Sequence, residues 1–233
     1  FMPAMICFEG FILSHTSMPV EIPDQKDIDD FLPPYNPPWL LDVDNPVTHG
    51  SIVYPEWYME FRYFMYEAME NARRLIPEVD REYGKRFGIE HGGHIEKYRC
   101  EDADLIILSM GTIGSEAKLA VDNLRKQGRK VGAARVRVFR PFPKEEIINI
   151  AENAQMLTVI DRQVSYGMEG PLHTEVKASL YSKTDSPLAA GFIAGLGGRD
   201  VKVSDIEMMV NKSFKYLQAG KVEKEVDWVG LRE

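Results

Sequence analysis

DLIILSMGTIGSEAKLAVDN, Asp104 to Asn123, runs from an apolar block through a glycine turn into an amphipathic segment. Leu105, Ile106, Ile107 and Leu108 are consecutive, the pattern of a strand covered on both faces in a parallel sheet. Gly111 and Gly114 punctuate the turn. Ala117, Ala120, Val121 and Leu124 then recur at helical spacing, so the stretch reads as strand, turn and helix, the opening half of a βαβ unit.

The alternation continues downstream. Glu96–Cys100 reads as a lead-in strand, Ala103–Met110 as strand and Ser115–Gln127 as helix, with Gly128 as its stop. Lys130–Val138 is the next strand, 139–143 a loop, and Lys144–Ala154 a helix with Ile147, Ile148 and Ala151 inward. Met156–Ile160 is a buried strand ending at Asp161-Arg162. Glu169–Ser182 contains a helix, Ala189–Ile193 is a strand, and Ser204–Leu217 a last helix capped by Ser204 with Glu207. Four strand–helix units with short links predict an α/β fold with a mostly parallel, doubly wound sheet.

Upstream the character differs. Met2–Phe8 reads as a strand of a sheet whose other strands precede the chain. With no Met at position 1, the opening reads as that of a fragment. Ser14, His15 and Thr16 suit a polar loop, and Asp24–Phe31 a short helix. Residues 33–55 hold six prolines among Tyr, Trp, Asn and Asp, a connector in which Trp39, Leu40 and Leu41 form an apolar patch. From Pro55 the pattern is helical. Trp57, Phe61, Phe64, Ala68, Ala72 and Leu75 form a stripe read as core or subunit interface, Pro77 should kink or restart the helix, and Gly88 ends it. His91 and His94 are read as part of a turn rather than a metal pair.

Composition excludes several classes of function. The 233 residues are 44% hydrophobic and 27% charged, with net charge −8, so a general nucleic-acid binder is not expected. Cys7 and Cys100 can build neither a disulfide framework nor a four-cysteine metal or iron–sulfur site, and a reducing cytoplasm is the simpler home. No apolar run approaches a membrane helix. Gly111-x-x-Gly114 falls short of a dinucleotide fingerprint, and no Walker loop is present.

Ligands of doubly wound sheets lie off the carboxyl ends of the strands. The candidates there are Gly111, Thr112, Gly114 and Ser115, then Arg140, then Asp161 and Arg162, then Gly195, Gly197, Gly198 and Arg199. Amides opening the helix at Ser115 suit a phosphate or carboxylate, and the arginines supply charge-assisted hydrogen bonds. The competing reading makes the glycines tight turns and pairs the arginines with Asp161, Asp200 or Glu169.

Six segments together carry a resemblance: PAMICFEGFILSHT (3–16), VDREYGKRFG (79–88), DADLIILSMGTIGSEAK (102–118), VRVFRPFP (136–143), VIDRQVSYGMEGPLHTEVKASLY (159–181) and FIAGLGGRD (192–200). In this order they resemble the alpha subunit of 2-oxoacid:ferredoxin oxidoreductases, most of all the pyruvate enzymes. The resemblance implies cleavage of a 2-oxoacid on thiamine diphosphate with Mg2+, electron transfer through iron–sulfur clusters to ferredoxin, and acyl transfer to coenzyme A. It also implies partners: thiamine-binding, cluster-bearing and gamma subunits.

By that resemblance residues 1–32 are the tail of a pyrimidine-binding domain, 33–94 a Pro-rich connector and long helix, 95–220 a transketolase C-terminal-like domain, and 221–233 an acidic tail. The thiamine-contacting motif would precede Phe1. This chain is therefore expected to bind no cofactor alone, to be inactive alone, and to contribute Gly111, Thr112, Gly114, Ser115, Arg140, Asp161 and Arg162 as contacts to coenzyme A or phosphate. Neither nucleic acid nor membrane is an expected partner. A homodimer is a further option, and so is a stand-alone nucleotide- or partner-binding module.

Overall fold

The computed structural model describes residues 2–10 and 12–232. In chain order the elements are α1 (Ile12–His15), α2 (Gln25–Phe31), α3 (Pro55–Phe87), β1 (Ile95–Tyr98), β2 (Leu105–Met110), α4 (Ile113–Lys126), β3 (Val131–Val136), α5 (Lys144–Ala151), β4 (Met156–Asp161), α6 (Pro171–Leu180), β5 (Leu188–Ile193), a 3-10 turn (Leu196–Gly198), α7 (Val203–Ala219) and β6 (Val226–Trp228). They fall into two compact units, one of residues 1–7 and 17–91, the other of residues 8–16 and 92–233.

The first unit is helical. Pro55 opens α3 at a position where its missing N–H costs nothing, and Gly88, at φ 78°, closes it. Pro77 neither ends nor restarts the helix, which continues through it. α2 lies on the C-terminal end of α3: Phe31 meets Tyr83 at 5.7 Å and Phe87 at 5.5 Å between ring centres, and Arg86 bonds Asp27 at 2.9 Å and Asp30 at 2.8 Å. No residue of α3 is buried. The aromatic stripe therefore forms no core here: Trp57 is 70% and Phe64 67% exposed. The connector has neither helix nor strand, and Trp39, Leu40 and Leu41 are exposed.

Met2–Phe8 is not a strand, contrary to expectation. An isolated extended segment has no neighbour for its N–H and C=O groups, and Met5 and Ile6 are almost fully exposed. The polar Ser14–Thr16 stretch also differs, because Ser14 and His15 close the short helix α1.

The second unit is the predicted α/β sheet. Its strand order is β1-β3-β2-β4-β5-β6. β2 to β6 are parallel, with Leu105 opposite Val131 on one side and Met156 on the other, while β1 runs antiparallel to β3. The run Leu105–Leu108 is fully buried because alternate residues serve both layers. Leu105 and Ile107 pack beneath α4 and α7, together with Val121, Leu124, Met209 and Val210. Ile106 and Leu108 pack beneath α5 and α6 with Ile147, Ile150, Leu172 and Val176.

Element boundaries move for identifiable reasons. β3 stops at Val136 because Arg137 and Val138 donate to the His94 carbonyl, at 2.8 and 3.2 Å. Helix α7 begins at Val203, before the expected Ser204, because the Asp205 carboxylate accepts the Lys202 N–H at 2.9 Å. Inside the segment read as an acidic tail, β6 adds to the sheet, pairing Gly191, Phe192 and Ile193 with Val226, Asp227 and Trp228.

Candidate functional site

β2 and β4 are neighbours in the sheet, yet the chain leaves β2 for α4 on one face and β4 for α6 on the other. Their carboxyl ends thus flank a crevice of the kind in which such sheets bind ligands. Thr112 follows β2 and Arg162 follows β4. Arg162 Nη1 donates to Thr112 Oγ1 at 3.0 Å, so two candidates meet across the crevice.

Glu9 completes the cluster. One of its carboxylate oxygens accepts from the Thr112 hydroxyl and the other from Arg162 Nη1, and both charged side chains are about three-quarters covered. The Thr112 hydrogen bond, joined by the Arg162 charge and opposed by burial, holds the Glu9 carboxyl below the usual range. Arg162 also reaches the Gly195 carbonyl at 3.5 Å. Gly195, at φ 75°, leaves room there: a Cβ would meet Val201 Cγ2 at 2.9 Å and Arg162 Nε at 3.1 Å. Gly111 makes the turn before Thr112 at φ 61° and accepts the Gly114 N–H at 3.2 Å.

The other candidates are engaged elsewhere. Gly114 makes room for a neighbour, since a Cβ would lie 2.4 Å from Arg135 Cδ, and Ser115 Oγ accepts from Arg135 Nη1 at 3.2 Å. Arg135 and Lys118 both pair with Glu96. Arg140 stacks over Phe139 at 4.4 Å and pairs with Glu175. Arg199 donates to the Gly230 carbonyl.

Asp161 is 1% exposed and holds the start of α6: its two oxygens accept the N–H groups of Leu172 at 3.0 Å and His173 at 3.1 Å. That satisfies two of the amides every helix leaves free at its first turn. Gly170 admits the carboxylate, for a Cβ there would lie 2.1 Å from Asp161 Oδ2. Burial pushes the Asp161 carboxyl up to about 6, with the two amides pulling the other way.

Behind it lies a polar group that the sequence reading passed over. Glu169, 2% exposed, accepts from Thr174 Oγ1 at 3.1 Å and Lys177 Nζ at 2.9 Å. His173 Nδ1 is 2.9 Å from the same carboxylate but not aligned for a hydrogen bond. Burial pushes His173 down and dominates the opposing pull of Glu169. The signal was present, since Glu169, His173 and Lys177 are spaced four residues apart, from just before α6 into its middle. Glu9 gave no such signal, because nothing local marks a carboxylate for a partner 153 residues away.

His94 Nδ1 lies 2.8 Å from Glu146, and the His91 N–H donates to Asp80 at 3.1 Å. Among the described residues no group of three or more His, Cys, Asp or Glu is placed to hold a metal ion, and no helix is long and apolar enough to cross a membrane.

Comparison with known proteins accounts for both units. Residues 1–81 match the family "Pyruvate flavodoxin/ferredoxin oxidoreductase, thiamine diP-bdg", and residues 103–206 match "Pyruvate:ferredoxin oxidoreductase core domain II". Pyruvate synthase subunit PorA of Pyrococcus abyssi is 44% identical over 233 residues, which are all of this chain and 59% of the relative. Ketoisovalerate oxidoreductase subunit VorA of Pyrococcus furiosus is 46% identical over 231 residues, 99% of this chain and 59% of the relative. The chain thus spans under two thirds of these relatives' length. Among solved structures, a split-gene transketolase aligns with TM-score 0.41 and 17% identity, over 49% of this chain and 40% of that one. With family matches over residues 1–81 and 103–206 and homology along its whole length, the chain is homologous to alpha subunits of the 2-oxoacid:ferredoxin oxidoreductases.

Proposed function

We propose that this chain serves in an enzyme that cleaves a 2-oxoacid on thiamine diphosphate, passes electrons through iron–sulfur clusters to ferredoxin, and exchanges the acyl group with coenzyme A. Homology along the whole of this chain to such alpha subunits supports this reading. Pyruvate is the proposed substrate, in the cytoplasm, with thiamine-binding, cluster-bearing and gamma subunits as partners. In this reading residues 1–32 end a pyrimidine-binding domain, 33–94 connect, and 95–220 form the transketolase C-terminal-like domain. The chain alone is proposed to be inactive, as one part of a multi-subunit enzyme.

Within that enzyme, Thr112 and Arg162 contact the acyl acceptor. The observation that carries this is their meeting around an anion, the Glu9 carboxylate, off the carboxyl ends of β2 and β4. A hydroxyl and a guanidinium that hold one carboxylate can hold a phosphate of coenzyme A in its place. Glu9 is then a competitor that the ligand displaces.

Thermal unfolding of the chain with and without coenzyme A tests this. Ligand at about 100 times its dissociation constant stabilises by roughly 2.7 kcal/mol, and each kcal/mol raises the midpoint by about 2 to 4 °C at this size. The shift should vanish in Arg162→Gln and grow in Glu9→Gln, which removes the competing charge. No shift in either the original chain or Glu9→Gln sinks the acceptor role. The substrate is tested separately in the reassembled enzyme, by kcat/KM for pyruvate against 2-oxoisovalerate.

A further inference from the structure

At the opposite end of the sheet, where β2 and β3 begin, the turn after α4 faces the last turns of α7. Gly128, at φ 81°, donates to the Arg125 carbonyl at 2.9 Å, and Arg129 to that of Leu124 at 3.1 Å, so the turn is pinned to the helix it ends. The Arg129 guanidinium lies over the Phe214 ring at 4.9 Å. On α7, Asn211, Phe214, Lys215 and Gln218 share the face turned to this turn, while Met209, Ser213 and Tyr216 go into the core.

Between turn and helix lies a cleft of about 670 Å³, walled by Arg129, Lys130, Lys215, Asn211, Gln218 and Asp104. Its volume falls in the range of small-molecule sites. Three cations face one carboxylate in a chain whose net charge is −8. Elsewhere in this unit Arg99, Arg125, Arg135, Arg140 and Arg162 each have an acidic partner. Among the described residues, Arg129, Lys130 and Lys215 have none within ion-pair distance. Asp102, which feels the Lys130 charge, is already bonded by Arg125. Asp104 leaves the cleft with two surplus positive charges, and a cluster of cations without acidic partners attracts an anion. The two amides, Asn211 and Gln218, add donors that can orient it.

A second cavity of about 620 Å³ shares Asn211 and Lys215 with the first and continues along α7 past Tyr216 and Ser204. A ligand with its charge among Arg129, Lys130 and Lys215 thus has room beyond Lys215 for a body carrying hydrogen-bond donors, since Glu207 and Glu223 also line the second cavity. From this juxtaposition we propose that the cleft between the α4–β3 turn and α7 binds a pyrophosphate-bearing small molecule of the nucleoside diphosphate class.

Titration calorimetry with pyrophosphate, ADP and sulfate tests the site. It is run on the chain and on Arg162→Gln, so that an anion taken up beside Thr112 is not counted. On Arg162→Gln, saturable binding of one equivalent is expected, tighter for ADP than for pyrophosphate; any further equivalent taken up by the original chain alone belongs beside Thr112. Lys215→Gln and Arg129→Gln should each weaken it about tenfold, as loss of one charge-assisted hydrogen bond implies, while Lys97→Gln, on the exposed side of β1, should not. Lys215 is exposed, so its variant folds even if removing Arg129 from Phe214 disturbs the turn. Absence of saturable binding at millimolar ligand would overturn the proposal. So would affinity indifferent to Lys215→Gln, or equal uptake of sulfate, the mark of an unselective basic surface.

Discussion

Asp161 places a carboxylate where a helix needs an acceptor, in a position too buried for its charge to be solvated. Burial raises its folded value to about 6 against an ordinary 3.8, the reverse of the salt-bridged carboxylates Glu96 and Asp227, which are lowered. The folded state therefore holds this proton more tightly than the unfolded chain does. The stability it contributes is fully present below about pH 4 and is lost as pH rises through about 6, a change of roughly 3 kcal/mol. Asp161→Asn removes that term. Relative to the original chain, its unfolding free energy measured with urea should rise, meaning greater stability, as pH increases across this window. A difference between the two chains that is flat from pH 4 to 7 would show that Asp161 does not titrate there.

Helix α3 shows what happens when an element has propensity without burial. It runs 33 residues with no buried side chain, so its stability is largely local. Pro77 withholds one N–H from the ladder and crowds the Arg73 carbonyl. Pro77→Ala should stabilise the surrounding turns by about 1 to 3 kcal/mol. Hydrogen exchange should report this as slower exchange over residues 73–81, with strands β2 and β4 unaffected. Unchanged exchange there would mean that contacts beyond the helix already hold it. The Trp57 to Leu75 stripe was legible as apolar from its spacing. What it covers was not, because periodicity identifies a face without naming its partner.

At the scale of the molecule, every buried hydrophobic residue among the described residues lies between Ile95 and Tyr216, all in the second unit. The two units should consequently melt separately. The sheet unit should unfold in one cooperative transition seen by calorimetry, and the helical unit earlier and more gradually by far-ultraviolet circular dichroism. Coincident transitions by both probes would refute this. By itself the sequence determined the layered α/β unit, because the apolar run Leu105–Leu108 and the helix spacing after Gly111 are local signals that agree with one another. It also placed Thr112 and Arg162 at strand ends, and the order of its motifs declared the family. Tertiary structure alone decided that Glu9 joins them, that Asp161 turns inward to the α6 amides, that Arg140 is taken by Glu175, and that Val226–Trp228 becomes an edge strand. Each of these depends on which distant groups converge, and pairing across dozens of residues follows from packing rather than from any local pattern.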